Sequence, residues 1–296
     1  MKNNIISDPI EGTGVFTNPA GNKIDTVKLS GSEKNITRLI IGGNIFSGTS
    51  HISEKADAEM EDYYTAENIK KALFHAEEHG INTMALRGDR HIFRIIREYR
   101  NEGGRLQWIA QTAPEMLYYK GNIDQIMKLG PIAIYHHGTA TDALFKEKKY
   151  EEIKERLKII RGAGVSAGLC THMPQVIEYA EEHNFDVDYY MVCLYNLSRI
   201  DRISSAVTGK IENSEPFYRE DRELMYKTIK SVSKQCHVFK ILGAGRLCES
   251  PENVADAFRD TFSNIKSSDA AVVGMFQKYT DQIAANCATV RNILSK

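Results

Sequence analysis

From about residue 38 the chain alternates two textures eight times: a short apolar, β-branched run, then a longer stretch with helical periodicity. The runs fall at 39–43, 82–86, 106–111, 132–136, 166–171, 187–194, 237–242 and 270–274, and the periodic stretches near 65–79, 90–101, 121–129, 148–163, 174–183, 219–233, 251–265 and 279–295. Parallel strands must be joined by crossovers, and closing the sheet removes its two unpaired edges. Eight strand–helix alternations therefore predict an α/β protein of the (β/α)8 TIM-barrel class. An open doubly wound sheet is the competing architecture, but Gly42-Gly43-Asn44-Ile45-Phe46-Ser47-Gly48 lacks the glycine spacing of a dinucleotide-binding first turn. A chain of 296 residues suits one barrel domain spanning 1–296, with residues 1–37, rich in Gly, Asn and Thr, as an arm or hairpin that caps the barrel floor.

Cap chemistry supports the helix starts. Ser250-Pro251-Glu252-Asn253 offers Ser at the N-cap and Pro at the first helical position, and Thr65 plays the same part for its helix. Gly80, Gly103-Gly104 and Gly164 fall where left-handed C-caps are wanted. Loops 44–64 and 195–218 are long for a compact barrel and are expected to form pocket walls or a lid.

Composition excludes several function classes. A formal net charge of −1 offers no field to hold a polyanion, which argues against nucleic acid as a partner. No apolar run approaches the roughly 20 residues of a membrane span, and the N-terminus lacks the apolar core of a secretory signal, so a cytoplasmic location is expected. Five scattered cysteines do not make a disulfide framework in a chain this long. The expected partner is a small-molecule substrate, and the sequence leaves an oligomer open.

Chemistry in such barrels sits at the C-terminal ends of the strands. Two adjacent histidines, His136 and His137, end the fourth run, and Cys170 and His172 end the fifth. Two residues apart on an extended strand, Cys170 and His172 share a face. With Cys193 from the sixth run and one or both of His136 and His137, they form a donor set suited to zinc or another divalent metal, able to polarise a carbonyl or activate water in a lyase, epimerase or hydrolase. Both cysteines also read as small core residues. Lys240 stands inside the apolar run Val238–Gly243, where a buried amine is a general base or Schiff-base nucleophile; a boundary lysine in solvent, or paired with a carboxylate, is the plainer alternative, and Glu115 after the third strand and Asp142 in the fourth βα loop read as its partners or as solvated loop charges. Gly243-Ala244-Gly245-Arg246 has the composition of a phosphate cradle, with Arg246 as counter-charge, or of a tight turn. Asp89 suits the start of its helix.

Several fragments, in order along nearly the whole chain, resemble the aldo/keto reductases: Ile36-Thr37-Arg38-Leu39-Ile40-Ile41-Gly42-Gly43, Gly80-Ile81-Asn82, the fourth-strand histidine, Asp188-Tyr189-Tyr190-Met191 with Tyr195-Asn196-Leu197, and Val272-Val273-Gly274 with Gln282-Ile283-Ala284-Ala285-Asn286. The resemblance implies an oxidoreductase acting on a small polar carbonyl or sugar-like substrate, with NADP or NAD lying across the strand ends. Asn196, Gly243, Gly245, Arg246, Lys278, Gln282 and Asn286 would contact that cofactor. Of the family's catalytic Asp, Tyr, Lys and His, only the histidine is matched, as His136 or His137. Ala85 or Leu86 occupies the Asp position, no Tyr follows, and Gln111-Thr112 stands at the Lys position. Carbonyl reduction needs an acid for the developing alkoxide, so Lys240, Tyr195 or a histidine, His172 included, would have to serve. A third reading keeps the barrel as a ligand-binding module without catalysis.

Overall fold

A computed structural model of the chain describes residues 23–295, apart from 117, 200, 203, 209–214 and 216. Eight strands close into a parallel barrel: β3 (Leu39–Gly42), β4 (Thr83–Arg87), β5 (Gln107–Gln111), β6 (Ala133–His136), β7 (Ser166–Thr171), β8 (Tyr189–Cys193), β9 (Gln235–Phe239) and β10 (Ala270–Val273), with β10 pairing back onto β3. The expected (β/α)8 barrel is thus the observed fold. Two short strands, β1 (Thr26–Lys28) and β2 (Asn35–Thr37), form an antiparallel hairpin ahead of it.

That hairpin lies against the barrel floor. Leu29 and Ile36 are fully buried in the cluster that fills the barrel interior. Around them the Ser30 N–H donates to Gln235 Oε1 at 3.0 Å, Ser166 Oγ donates to Ser30 O at 2.6 Å, and Gln107 Nε2 donates to Asn35 O at 2.8 Å. The donors and acceptors at strand beginnings are met by hairpin backbone, as buried polar groups require. The expected floor cap falls on residues 1–37, and its first 22 lie outside the described residues.

Between strands and helices lies the larger apolar cluster, into which Leu39, Ile41, Trp108, Leu169, Val192 and Val238 point from the outer face of the barrel. The helices are α1 (Glu54–Tyr63), α2 (Ala66–Glu78), α3 (Arg90–Asn101), α4 (Tyr119–Met127), α5 (Gly138–Lys146), α6 (Tyr150–Gly162), α7 (Pro174–Glu182), α8 (Ser205–Thr208), α9 (Arg219–Ser231), α10 (Pro251–Asn264) and α11 (Gln282–Leu294). Ser250 and Thr65 cap α10 and α2 by accepting from the N–H groups of Asn253 (3.2 Å) and Asn68 (3.3 Å), and Asp89 caps α3 by accepting from Ile92 (2.9 Å). Among the described residues no helix is long and apolar enough to cross a membrane.

Three helices fall in segments read as loop, the four-residue α8 within 195–218 among them. α1 occupies the segment read as loop 44–64: it opens on a Ser53 N-cap, but its sequence EKADAEMEDY buries only Asp57 and Met60, too few apolar positions to register as a period. α5 starts directly after β6, placing Asp142 in a helix rather than in a solvated loop.

Candidate active site

Strand alternation assigns each side chain to the interior or the helix layer before any contact is considered. On β6, Ala133 and Tyr135 belong to the interior cluster and Ile134 to the outer one. His136 must then point outward. It is buried, its Nδ1 hydrogen bonds to Thr141 Oγ1 at 2.8 Å, and its ring lies 5.7 Å from that of Tyr119 on α4. Burial and the nearby Arg156 hold it neutral, with a pKa pushed down to about 3. His137, one residue on, lines the mouth. The expectation that His136 serves the site is corrected by the two-residue period of the strand.

On β7 the same rule brings Cys170 and His172 to the interior side, where both line a cavity of about 500 Å³ over the C-terminal end of the barrel, together with His137, Arg87, Phe239 and Lys240. Imidazoles from two adjoining strands therefore share one hollow. Gly138 allows the close approach: a Cβ there would lie 2.8 Å from Cys170 Sγ and 3.3 Å from His172 Cε1.

His172 is held by Asp142. One carboxylate oxygen accepts from His172 Nδ1 at 2.8 Å, from the His172 backbone N–H at 3.2 Å and from Ser198 Oγ at 2.5 Å; the other accepts from Thr171 Oγ1. Burial alone would raise the pKa of this carboxyl, but the His172 bond, followed by those of Ser198 and Thr171, outweighs burial and keeps it below the ordinary aspartate value. A carboxylate at that distance fixes the proton on Nδ1 and leaves Nε2 as the free lone pair. Asp142 thus partners His172, while Glu115 pairs with Arg87, so neither is the partner foreseen for Lys240.

Lys240 is not inside a strand. β9 ends at Phe239, and Lys240 takes a left-handed backbone conformation, φ 60°. This is uncommon for a residue with a Cβ and marks backbone held by its surroundings. Strand alternation would have sent the side chain toward the helices; the turn brings it to the cavity instead. Nζ lies 5.9 Å from the centroid of the Phe239 ring, and the His172 ring packs edge-on at 5.7 Å against the same ring, so amine and imidazole both border Phe239. Burial pushes the amine below the ordinary lysine range, against the opposing influence of Cys193 and Glu215. Among the described residues no hydrogen bond or ion pair engages Nζ.

His51 completes the wall, with Glu215 behind it. His51, also left-handed at φ 59°, has Nδ1 3.3 Å from Glu215 Oε2, and burial, with Lys240 second, lowers its pKa to about 4. No spacing in the sequence announces either residue: both come from long loops. Asp142 had a weak signal, since a helix starting at His137 would turn inward about one turn later.

Other expected site residues stand elsewhere. Tyr195 is buried outside the cavity, its hydroxyl accepting from Arg222 Nη1 at 3.1 Å and its ring 4.7 Å from Phe217. Cys193 is buried off the cavity, and burial raises its thiol pKa to about 11 while raising that of Cys170 further. With His136 and Cys193 off the cavity, the expected metal set of His136, His137, Cys170, His172 and Cys193 does not converge. The Gly243–Gly245 turn spends its N–H groups internally, on Lys240 O, Leu242 O and, from Arg246, Gly243 O. The Arg246 guanidinium is committed to the carbonyls of His51 and Gly243 and stacks 4.1 Å over Phe217. Three of the four N–H groups of this tight turn are thus already engaged. Lys278 pairs with Glu59 at 2.7 Å, Asn196 and Asn286 are buried, and of the remaining expected cofactor contacts Gly245 and Gln282 line the cavity, Gln282 Oε1 already accepting from the Phe276 N–H. The residues named for the nicotinamide cofactor thus do not form a fitting site for it.

No protein-family model and no curated protein matches this chain. Among solved structures it is similar to Gox0644 in its apo form, at 8% identity and a TM-score of 0.54 over 91% of this chain and 93% of that one. It is also similar to QR15, an aldolase, at 10% identity and a TM-score of 0.44 over 78% of this chain and 90% of that one. Likeness at these identities is likeness of fold, and it leaves the resemblance to aldo/keto reductases resting on the barrel and the sequence fragments.

Proposed function

We propose that this protein is a lyase acting on a small polar β-hydroxy carbonyl compound, with Lys240 as a Schiff-base nucleophile and the Asp142–His172 pair moving the protons. The observation that carries the reading is Lys240: an amine lining the cavity at the barrel mouth, depressed by burial despite the opposing Glu215 carboxylate and held in no ion pair among the described residues. A protonated lysine is not a nucleophile, and burial that outweighs nearby negative charge is the physical route to a neutral one.

In this reading the Lys240 amine adds to the substrate carbonyl, and uptake of one solvent proton with loss of water gives an iminium, the proton returning to solvent when the last iminium is hydrolysed. The iminium draws in the electron pair of the breaking carbon–carbon bond, forming an enamine, while the β-hydroxyl proton passes to His172 Nε2 and the first carbonyl fragment leaves. The same proton returns to the enamine carbon, and water releases the second fragment and the free lysine. One β-hydroxy carbonyl gives two carbonyls with no net redox change. Asp142 stabilises the imidazolium formed midway, and neutral His137, its pKa lowered by burial to about 3, offers a hydrogen-bond partner to the substrate oxygen.

Borohydride trapping tests it. Incubation with propanal and borohydride should attach a propyl group to the peptide carrying Lys240, and Lys240→Arg should abolish that adduct. Modification confined to surface lysines, at equal level in both proteins, would refute the assignment.

A further inference from the structure

α2 follows β3 and α11 follows β10, the two strands that close the barrel, and the two helices pack together across that seam. On α2, His75 and the C-cap residue His79 stand four positions apart, one helical turn, with ring centroids 4.5 Å apart. Facing them is Asp281, the N-cap of α11, whose Oδ1 accepts from the Ala284 N–H at 2.9 Å and whose Oδ2 lies 2.8 Å from His75 Nε2. One ligand atom from each of the three lies within 4.8 Å of the others. None of the three lines the barrel cavity.

Two details separate this cluster from a surface ion pair. His79 Nδ1 is buried and has no hydrogen-bond partner, a cost that His75 and Asp281 alone do not relieve. And His75 Nδ1 lies 3.2 Å from Glu78 Oε2 while its Nε2 faces Asp281. A metal-bound imidazole needs the same arrangement, one nitrogen toward the ion and the other N–H donated to an orienting carboxylate.

We propose that His75, His79 and Asp281 bind one first-row divalent ion, zinc by the chemistry of the donors, as a staple between α2 and α11 across the barrel seam. Ligand bonds of about 2.1 Å put tetrahedral donors about 3.4 Å apart. The His75–Asp281 pair, at 2.8 Å, opens by about 0.6 Å, and no other pair, all within 4.8 Å, has to close by more than about 1.4 Å. Water takes the fourth position, and Glu78 orients His75.

The test uses tag-free, chelator-stripped full chain titrated calorimetrically with zinc, and with cobalt for its tetrahedral visible absorption. One ion per chain is expected. His79→Ala and Asp281→Ala should each weaken binding at least tenfold, and Glu78→Gln by roughly tenfold or more, while His172→Ala leaves it unchanged. Zinc at a hundredfold excess over Kd should raise Tm by about 5 °C, and this rise should vanish in His79→Ala. Circular dichroism of the apo variants shows that each is folded. The proposal is overturned by the lack of saturable one-to-one binding, or by binding that survives His79→Ala and Asp281→Ala; binding lost instead in His172→Ala would move the ion to the barrel mouth.

Discussion

Asp142→Asn isolates the buried carboxylate from its shape. Three donors converge on one oxygen: His172 Nδ1, the His172 N–H and Ser198 Oγ. If the amide oxygen takes that place, all three bonds survive but lose their charge assistance, roughly 1 kcal/mol each. Removing the desolvation cost of a buried charge offsets part of this, leaving a loss of about 2 kcal/mol and a Tm lower by about 3 °C. The chemical effect should be larger. Without the carboxylate nothing stabilises a His172 imidazolium, and proton transfer should slow by about 10²–10⁴-fold. The assay needs no natural substrate: an enamine on Lys240 exchanges the α-hydrogens of propanal with deuterium from the solvent, followed by NMR. Borohydride trapping on Lys240 should persist in Asp142→Asn while exchange collapses. Exchange at the wild-type rate in a folded variant would refute the role given to the Asp142–His172 pair.

Three more outcomes follow from the geometry. His136→Ala, which empties a buried site in the helix layer and removes its bond to Thr141, should cost about 2–4 kcal/mol in denaturant unfolding yet spare deuterium exchange; His137→Ala should do the reverse. Gly138→Ala, whose Cβ would meet Cys170 Sγ at 2.8 Å, should destabilise by about 1–3 kcal/mol and slow exchange by displacing His172, whereas unchanged exchange and stability would show that the packing yields freely. Burial holds the pKa of His136, His137 and His237 at about 3 and that of His51 at about 4, each below the roughly 6.5 of an unfolded histidine. The unfolded chain therefore binds more protons between these values, so this stability is complete above about pH 6.5 and falls as pH drops, by up to roughly 1.4 kcal/mol per unit for each ring. Acid unfolding should be cooperative and begin near pH 6, and His237→Phe should shift it to lower pH; a transition unmoved by that change would count against the buried ring.

The sequence by itself determined the barrel, because eight apolar runs separated by amphipathic stretches have few ways to bury both faces of a parallel sheet. It also determined that His172 and Cys170 share a face, since a strand's period of two is a local property. It did not determine which of His136 and His137 faced inward: that needed the register of β6 against β5 and β7, a property of the assembled sheet. Nor did it place Lys240. A left-handed residue after β9 reverses the side an extended strand would give it, and residue type alone does not announce a positive φ at lysine. Asp142 read as a loop charge until α5 carried it into the protein beside His172. Tyr195, Arg246 and Lys278 were sound candidates by type, but other side chains and carbonyls had claimed them. Side-chain chemistry is written along the chain, while its availability depends on neighbours brought from tens or hundreds of residues away, and only the folded barrel supplies those.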